Sequence, residues 1–160
     1  MSIKSRIRTI PDYPKKGVMF RDITTLLADP QGLQLSVNKM VERYAKQKID
    51  KVVGIEARGF IFGAPLAHGL GVGFIPIRKK GKLPADTISH KYDLEYGSDV
   101  LEIHADAVKN GESVVLVDDL LATGGTAEAS IHLIEEIRGE IKECCFVVDL
   151  PDVGGRARLE

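Results

Sequence analysis

The sequence predicts an α/β fold, a mostly parallel β-sheet flanked by helices. Short apolar runs at 51–55, 72–77, 113–117 and 144–150 read as strands, and segments with helical spacing lie between them. Strands that alternate with helices form parallel sheets. The clearest run, Ser-Val-Val-Leu-Val at 113–117, carries four consecutive apolar residues, as a strand covered on both faces requires. With 160 residues, 44% of them hydrophobic, the chain is expected to form a single domain (1–160) with a proper core.

Each element has a local reason. Asp29 and Pro30 read as an N-cap and first-turn proline, ahead of Leu33, Val37, Met40, Val41 and Tyr44 at helical spacing. The strand at 51–55 leads through a glycine-punctuated turn into a helix ending near residue 70, and a second strand follows at 72–77. From Arg78 to about Glu102 the chain turns polar, with Gly, Pro, Tyr and charges, and is expected to be a long loop. Loops of that length in a compact domain are often functional, so 78–102 is the candidate lid. The strand at 113–117, a helix over 126–138 and a last strand at 144–150 complete the pattern.

Composition narrows the function. A net charge of −1 gives no general attraction to nucleic acid or membranes. No apolar run reaches the ~20 residues of a transmembrane helix, and the N-terminus lacks the apolar stretch of a secretory signal. The only cysteines, Cys144 and Cys145, are adjacent in a strand, which reads as reduced thiols in a cytoplasmic protein. His68, His90, His104 and His132 show no metal-ligand spacing. Gly-Leu-Gly-Val-Gly at 69–73 echoes a dinucleotide fingerprint, but it follows a helix and precedes a strand, the reverse of the required order.

The chemistry concentrates at 114–126, Val-Val-Leu-Val-Asp-Asp-Leu-Leu-Ala-Thr-Gly-Gly-Thr. Asp118 and Asp119 fall at the carboxyl end of the buried strand, where ligands bind in open parallel sheets. The loop after them runs into a helix N-terminus, where unpaired N–H groups and the helix dipole favour an anion. Gly124 and Gly125 admit close backbone approach, and Thr123 and Thr126 carry hydroxyls that can donate to phosphate. No lysine follows the glycines, so this is not a Walker A loop. A Gly-Gly turn alone reads equally as a capped helix beside solvated aspartates. Two carboxylates, two threonines and two glycines at one strand end favour a ligand with a phosphate at one end and vicinal hydroxyls at the other, such as a phosphorylated ribose.

This stretch resembles the 5-phosphoribosyl 1-diphosphate (PRPP) signature of type I phosphoribosyltransferases. With Ala122 and Thr123 before the glycine pair, it is similar to the adenine phosphoribosyltransferases. Segments 12–24, 54–67, 78–84 and 92–97 resemble that family in the same order, so the resemblance covers nearly the whole chain. It implies the type I fold, with a small base-binding hood at 1–27 and a flexible lid at 78–102. The implied reaction is adenine plus PRPP giving AMP and diphosphate, with Mg²⁺ bound mainly through PRPP oxygens and waters rather than directly by the protein. By the same resemblance Arg58 contacts the diphosphate, and Arg78, Lys79 and Lys82 approach it, partly across a homodimer interface. Asp118 and Asp119 hold the ribose hydroxyls, and residues 122–126 hold the 5-phosphate. Met19, Phe20 and Arg21 receive adenine, with Phe20 stacking on the ring.

Hypoxanthine-type relatives carry an aspartate in the PRPP loop as the proposed base for a purine proton. Here Ala122 stands at that position, so the resemblance moves the general acid or base to Glu95, with Tyr96 helping to close the site. Two other readings stay open: a sister enzyme acting on hypoxanthine, guanine or xanthine, and a regulator that binds PRPP without catalysis. The balanced charge and the lack of spare length count against the regulator. The family's chains commonly extend further at both ends, so either the chain continues beyond these residues or the edge of the sheet is trimmed, which bears on the final strand and part of the dimer contact but not on the active-site motifs.

Overall fold

The computed structural model describes residues 2–94, 96–150 and 153–160. The chain folds as two compact units, residues 1–43 and 44–160.

The first unit opens with a 3₁₀ turn at Lys4–Arg6. Strands β1 (Arg8–Pro11) and β2 (Met19–Asp22) then form an antiparallel pair, with Ile10 opposite Phe20 and Pro11 opposite Met19. Asp22 fastens this pair to the start of the first α-helix. Its carboxylate accepts from Arg8 Nε at 3.0 Å and from the Thr24 N–H and hydroxyl at 2.9 and 2.7 Å. The bonds from the Thr24 hydroxyl, then Arg8, then the Thr24 N–H hold its pKa down at about 2. Helices α1 (Thr24–Ala28) and α2 (Pro30–Tyr44) come next. As expected, Asp29 caps α2: its carboxylate accepts the Gln31 N–H at 3.2 Å and its carbonyl the Leu33 N–H at 2.9 Å.

The second unit is a six-stranded sheet in the order β5-β6-β4-β3-β7-β8. Its strands are β3 (Lys51–Ile55), β4 (Gly73–Lys79), β5 (Thr87–Asp93), β6 (Ser98–His104), β7 (Ser113–Leu121) and β8 (Glu140–Asp149). The pairs β3/β4, β3/β7 and β7/β8 are parallel, while β6 runs antiparallel to β4 and β5. Helix α3 (Arg58–Leu70) connects β3 to β4, α4 (Gly125–Glu136) connects β7 to β8, and α5 (Gly155–Leu159) ends the described chain.

Both faces of the central strands are covered, and period-2 alternation decides which residue goes where. Val53, Ile55, Val114 and Leu116 join Leu133 and Ile134 of α4 in the main core. Gly54 and Gly63 face the other way, where a Cβ on either would come within 2.7 Å of the Phe74 ring. Phe74 in turn packs edge-on against Phe60 of α3, centroids 5.6 Å apart.

Two expectations are corrected. Residues 78–102 are not a long irregular loop: β4 continues to Lys79, and β5 and β6 form a hairpin in register from Thr87–His104 to Asp93–Ser98. The alternating side of β5, with Ile88 and Tyr92, packs on the core, and that period was masked by its polar residues. β7 also runs four residues beyond 117, so Asp118 and Asp119 lie inside the strand, with Asp118 paired to Phe146. Cys144 and Cys145 on β8 are not in a disulfide, and burial pushes Cys144 up to about 11, helped by Glu143 and Cys145. Among the described residues, no helix is long and apolar enough to cross a membrane.

Candidate active site

A cleft of about 520 Å³ opens at the carboxyl ends of β3 and β7 in the second unit. β3 pairs with β4 on one side and β7 on the other, so the connections leaving β3 and β7 diverge, and the gap between them is the switch point where open parallel sheets bind ligands. Its walls are Glu56–Arg58 from the β3–α3 turn, Asp118–Thr126 from β7 into α4, and Lys79, Tyr92, Leu94 and Asp99 from β4 and the hairpin.

The turn expected to hold a phosphate leads from β7 straight into α4 and lines the cleft. Gly124 adopts a left-handed conformation (φ 87°) that strains any other residue, and its carbonyl accepts the Glu128 N–H at 2.8 Å to start α4. The next N–H groups, from Gly125 onward, have no partner within the helix and lie at the cleft. Gly59 allows α3 to start against β7, since a Cβ there would meet the Val117 carbonyl at 2.8 Å and Asp118 Oδ1 at 3.2 Å.

The two carboxylates differ. Asp119 is buried, and its Oδ2 accepts from Arg58 Nε at 2.5 Å, while the Arg58 side chain stays half-exposed. Asp118 accepts the Asp119 N–H at 2.8 Å. Burial first, then the neighbouring Asp119 charge, push Asp118 up to about 8, against which Arg58 acts only weakly. Asp118 therefore keeps its proton to higher pH than an ordinary carboxyl does, while Asp119 lies against the Arg58 guanidinium.

Sequence reasoning missed three contributors. Glu56 is the first: its side chain is only 10% exposed, and it gathers Arg78 Nε (3.3 Å), the Lys79 N–H (2.8 Å) and Lys82 Nζ (2.9 Å). Burial is the largest single influence on this carboxyl and raises its pKa, but the bonds from Lys79 and Lys82 outweigh it and hold the group below its ordinary value. Arg78 and Lys82 thus stand next to the cleft through Glu56, while Lys79, which also pairs with Asp99 at 3.4 Å, lines it directly. The adjacency of Glu56 to the Ala-Arg-Gly turn was the available signal.

Gly155 and Arg158 of α5 are the other two. A Cβ on Gly155 would sit 2.2 Å from the Ala122 carbonyl, so α5 rests directly on the turn at 122–126. Arg158 donates from Nε and Nη2 to the two Glu128 oxygens, at 2.8 and 3.4 Å, joining α5 to the first turn of α4. No motif spacing signals this contact.

Other expected residues lie elsewhere. Met19, Phe20 and Arg21 belong to the first unit, where β2 alternation puts half-buried Phe20 on the face opposite exposed Met19 and Arg21. Phe20 packs edge-on against Tyr13, centroids 5.1 Å apart, and Arg21 donates to the Thr9 hydroxyl. Tyr96 is 81% exposed near the hairpin tip, which the Leu94 N–H closes onto the Gly97 carbonyl at 2.9 Å. Glu95 lies outside the described residues. Among the described residues, no group of three or more His, Cys, Asp or Glu is arranged to hold a metal ion.

Comparison with known proteins agrees with this geometry. Residues 22–157 match the family described as the phosphoribosyl transferase domain. An adenine phosphoribosyltransferase of Nitrosospira multiformis is 66% identical over 160 residues, covering all of this chain and 91% of the relative. That of Nitrosomonas eutropha is 65% identical over 159 residues, with 99% and 91% coverage. Among solved structures, the adenine phosphoribosyltransferase of Thermoanaerobacter pseudethanolicus superposes with a TM-score of 0.94 at 52% identity, covering 99% of this chain and 92% of that one. The Saccharomyces cerevisiae enzyme, solved with adenine and an imino-altritol bisphosphate, gives 0.93 at 39% identity, with 99% and 92% coverage. The switch-point cleft, the twin carboxylates and these matches agree: the chain belongs to the phosphoribosyltransferase family.

Proposed function

We propose that the chain transfers the phosphoribosyl group of PRPP to adenine, forming AMP and releasing diphosphate, as a step of purine salvage. The observation that carries this is a single cleft in which Asp118 and Asp119 stand directly before a phosphate loop at the start of α4. The relatives named for adenine, at 65% and 66% identity over nearly the full chain, support the choice of base. Ala122 supports it too, because it leaves no carboxyl in the loop for a hypoxanthine-type proton transfer.

The chemistry is assembled from the parts. The N–H groups and hydroxyls of residues 122–126 hold the 5-phosphate, which positions the sugar. Asp118 and Asp119 accept the ribose hydroxyls, and the Asp119 charge favours the cation that develops at C1 as its bond to diphosphate breaks. The electron pair of that bond leaves with the diphosphate toward Arg58, Lys79, Arg78 and Lys82. Purine N9 closes on C1, and Glu95 manages the ring proton. Phe20 stacks on the base in the hood of residues 1–27, and the backbone of Met19 and Arg21, whose side chains face the other side of β2, recognises its edge. The tip of the β5–β6 hairpin, with exposed Tyr96, acts as the lid that excludes water.

Glu56 is held by Arg78 and Lys82, Asp99 by Lys79 and Asp119 by Arg58, so these carboxylates of the cleft are already engaged. This suits a Mg²⁺ that keeps most of its waters and is held mainly through PRPP oxygens. When bound with PRPP, Mg²⁺ supplies charge neutralisation on the leaving diphosphate. The enzyme works in the cytoplasm as a homodimer, in line with cysteines that are not in a disulfide and with the family's habit.

Incubation with PRPP, Mg²⁺ and each purine base, with identification of the monophosphate formed, tests the reading. AMP from adenine alone is expected. Product mainly from hypoxanthine or guanine would favour the sister enzyme, and none from any base would favour a PRPP-binding regulator.

A further inference from the structure

We propose that Glu56 is a built-in counter-ion that competes with diphosphate for Arg78 and Lys82 and so helps the product leave. The inference rests on the phosphoribosyl-transfer reading and assigns a positioning role to a residue that reading does not use.

The geometry is that of a placeholder. Oε1 of Glu56 accepts from Arg78 Nε and the Lys79 N–H, while Oε2 accepts from Lys82 Nζ. Three donors from one segment thus converge on one carboxylate, the arrangement that a diphosphate end would require of them. The residue itself is fixed, because the Glu56 N–H donates to the Ile77 carbonyl at 3.0 Å and its side chain is nearly buried. The two cations are not: Arg78 and Lys82 side chains are 36% and 47% exposed, and each is long enough to turn toward the cleft that Glu56 lines.

A diphosphate arriving in the cleft must take these donors from Glu56. The exchange leaves a nearly buried carboxylate with the Lys79 N–H as its remaining partner among the three, which is unfavourable. The reverse exchange is therefore favoured once the bond to ribose has broken, and Glu56 reclaims its cations as diphosphate departs. The device lowers affinity for a strongly charged product while keeping both cations aligned before substrate arrives.

The test is the affinity of inorganic diphosphate at constant Mg²⁺, by titration calorimetry on the full chain. Glu56→Gln removes the competing charge and should tighten diphosphate binding about three- to tenfold, the range for partly exposed pairs. Glu56→Asp keeps the charge but draws it back by one methylene, and should fall between the two. In a Lys82→Met background the effect of Glu56→Gln should shrink, since one of the contested donors is gone. Melting temperatures identify any variant that has unfolded, and the adenine KM should not move. Unchanged or weaker diphosphate binding by folded Glu56→Gln and Glu56→Asp overturns the proposal while leaving phosphoribosyl transfer intact. Failure of the wild-type chain to bind diphosphate overturns the underlying reading as well.

Discussion

At the scale of single residues, the site is organised by what each charge can pair with in a half-dry cleft. Arg58 and Asp119 neutralise each other across 2.5 Å, so both must change partners when a substrate with a diphosphate and a diol arrives. Proton transfer falls to a different group. Ala122 offers no titratable atom, and in the proposed reading Glu95 is the carboxylate that serves the purine. Glu95→Gln should lower kcat by roughly 10²-fold, the contribution of a positioned acid or base, with little change in PRPP KM. Steady-state rates at saturating substrates check this, and near wild-type turnover would remove Glu95 from the chemistry. That Asp118, Asp119 and residues 122–126 meet at one cleft was legible in the sequence, because they fall within thirteen adjacent positions at a strand end. Glu56 was not, because its partners Arg78 and Lys82 lie 22 and 26 positions away and meet it only through the pairing of β3 with β4.

At the scale of elements, the phosphate loop is held from both sides. β7 delivers it, α4 receives it, and α5 rests on its back with the Gly155 backbone against the Ala122 carbonyl. Gly155→Ala puts a methyl 2.2 Å from that oxygen, and backbone must move because no flexible side chain can yield. We expect PRPP KM to rise about tenfold or more, since misplacing a positioning element costs binding and alignment together. Adenine KM should change little, and a PRPP KM within twofold of wild type would show that α5 does not set the loop. The Arg158–Glu128 pair is partly exposed, so its loss should matter less. The strands at 51–55 and 113–117 were plain from their apolar runs. β5 was not, because Ser89, His90 and Lys91 make a half-buried edge strand look like a polar loop. Its order comes from ladder bonds to β6 and packing beneath α4, neither of which composition expresses.

At the scale of the whole molecule, sheet order places the chemistry. β3 sits between β4 and β7, and both ligand-facing turns therefore open on one edge of the sheet. That placement has a cost to stability that pH should reveal. Asp118 titrates at about 8 in the fold, against an ordinary value of 3.8. Between those values the folded chain holds a proton that the unfolded chain has released, so stability contributed below 3.8 is lost as pH rises through 8. Asp118→Asn removes this term, and its melting temperature should gain on that of the wild type between about pH 5 and pH 9. A gap that stays constant over that range would mean that Asp118 is ionised throughout. Alternation of strands and helices made the parallel sheet legible in advance. The strand order was not, because the connections are compatible with several orders until β6 turns back against β4. The central claim is that the phosphate loop and the twin carboxylates grip opposite ends of one phosphorylated ribose, and a crystal structure of the chain with AMP tests it most directly. It should place the 5′-phosphate on the N–H groups of residues 123–126 and the ribose hydroxyls on Asp118 and Asp119, with Arg58 released from Asp119. A phosphate bound away from that loop, or a ribose that touches neither aspartate, would contradict it.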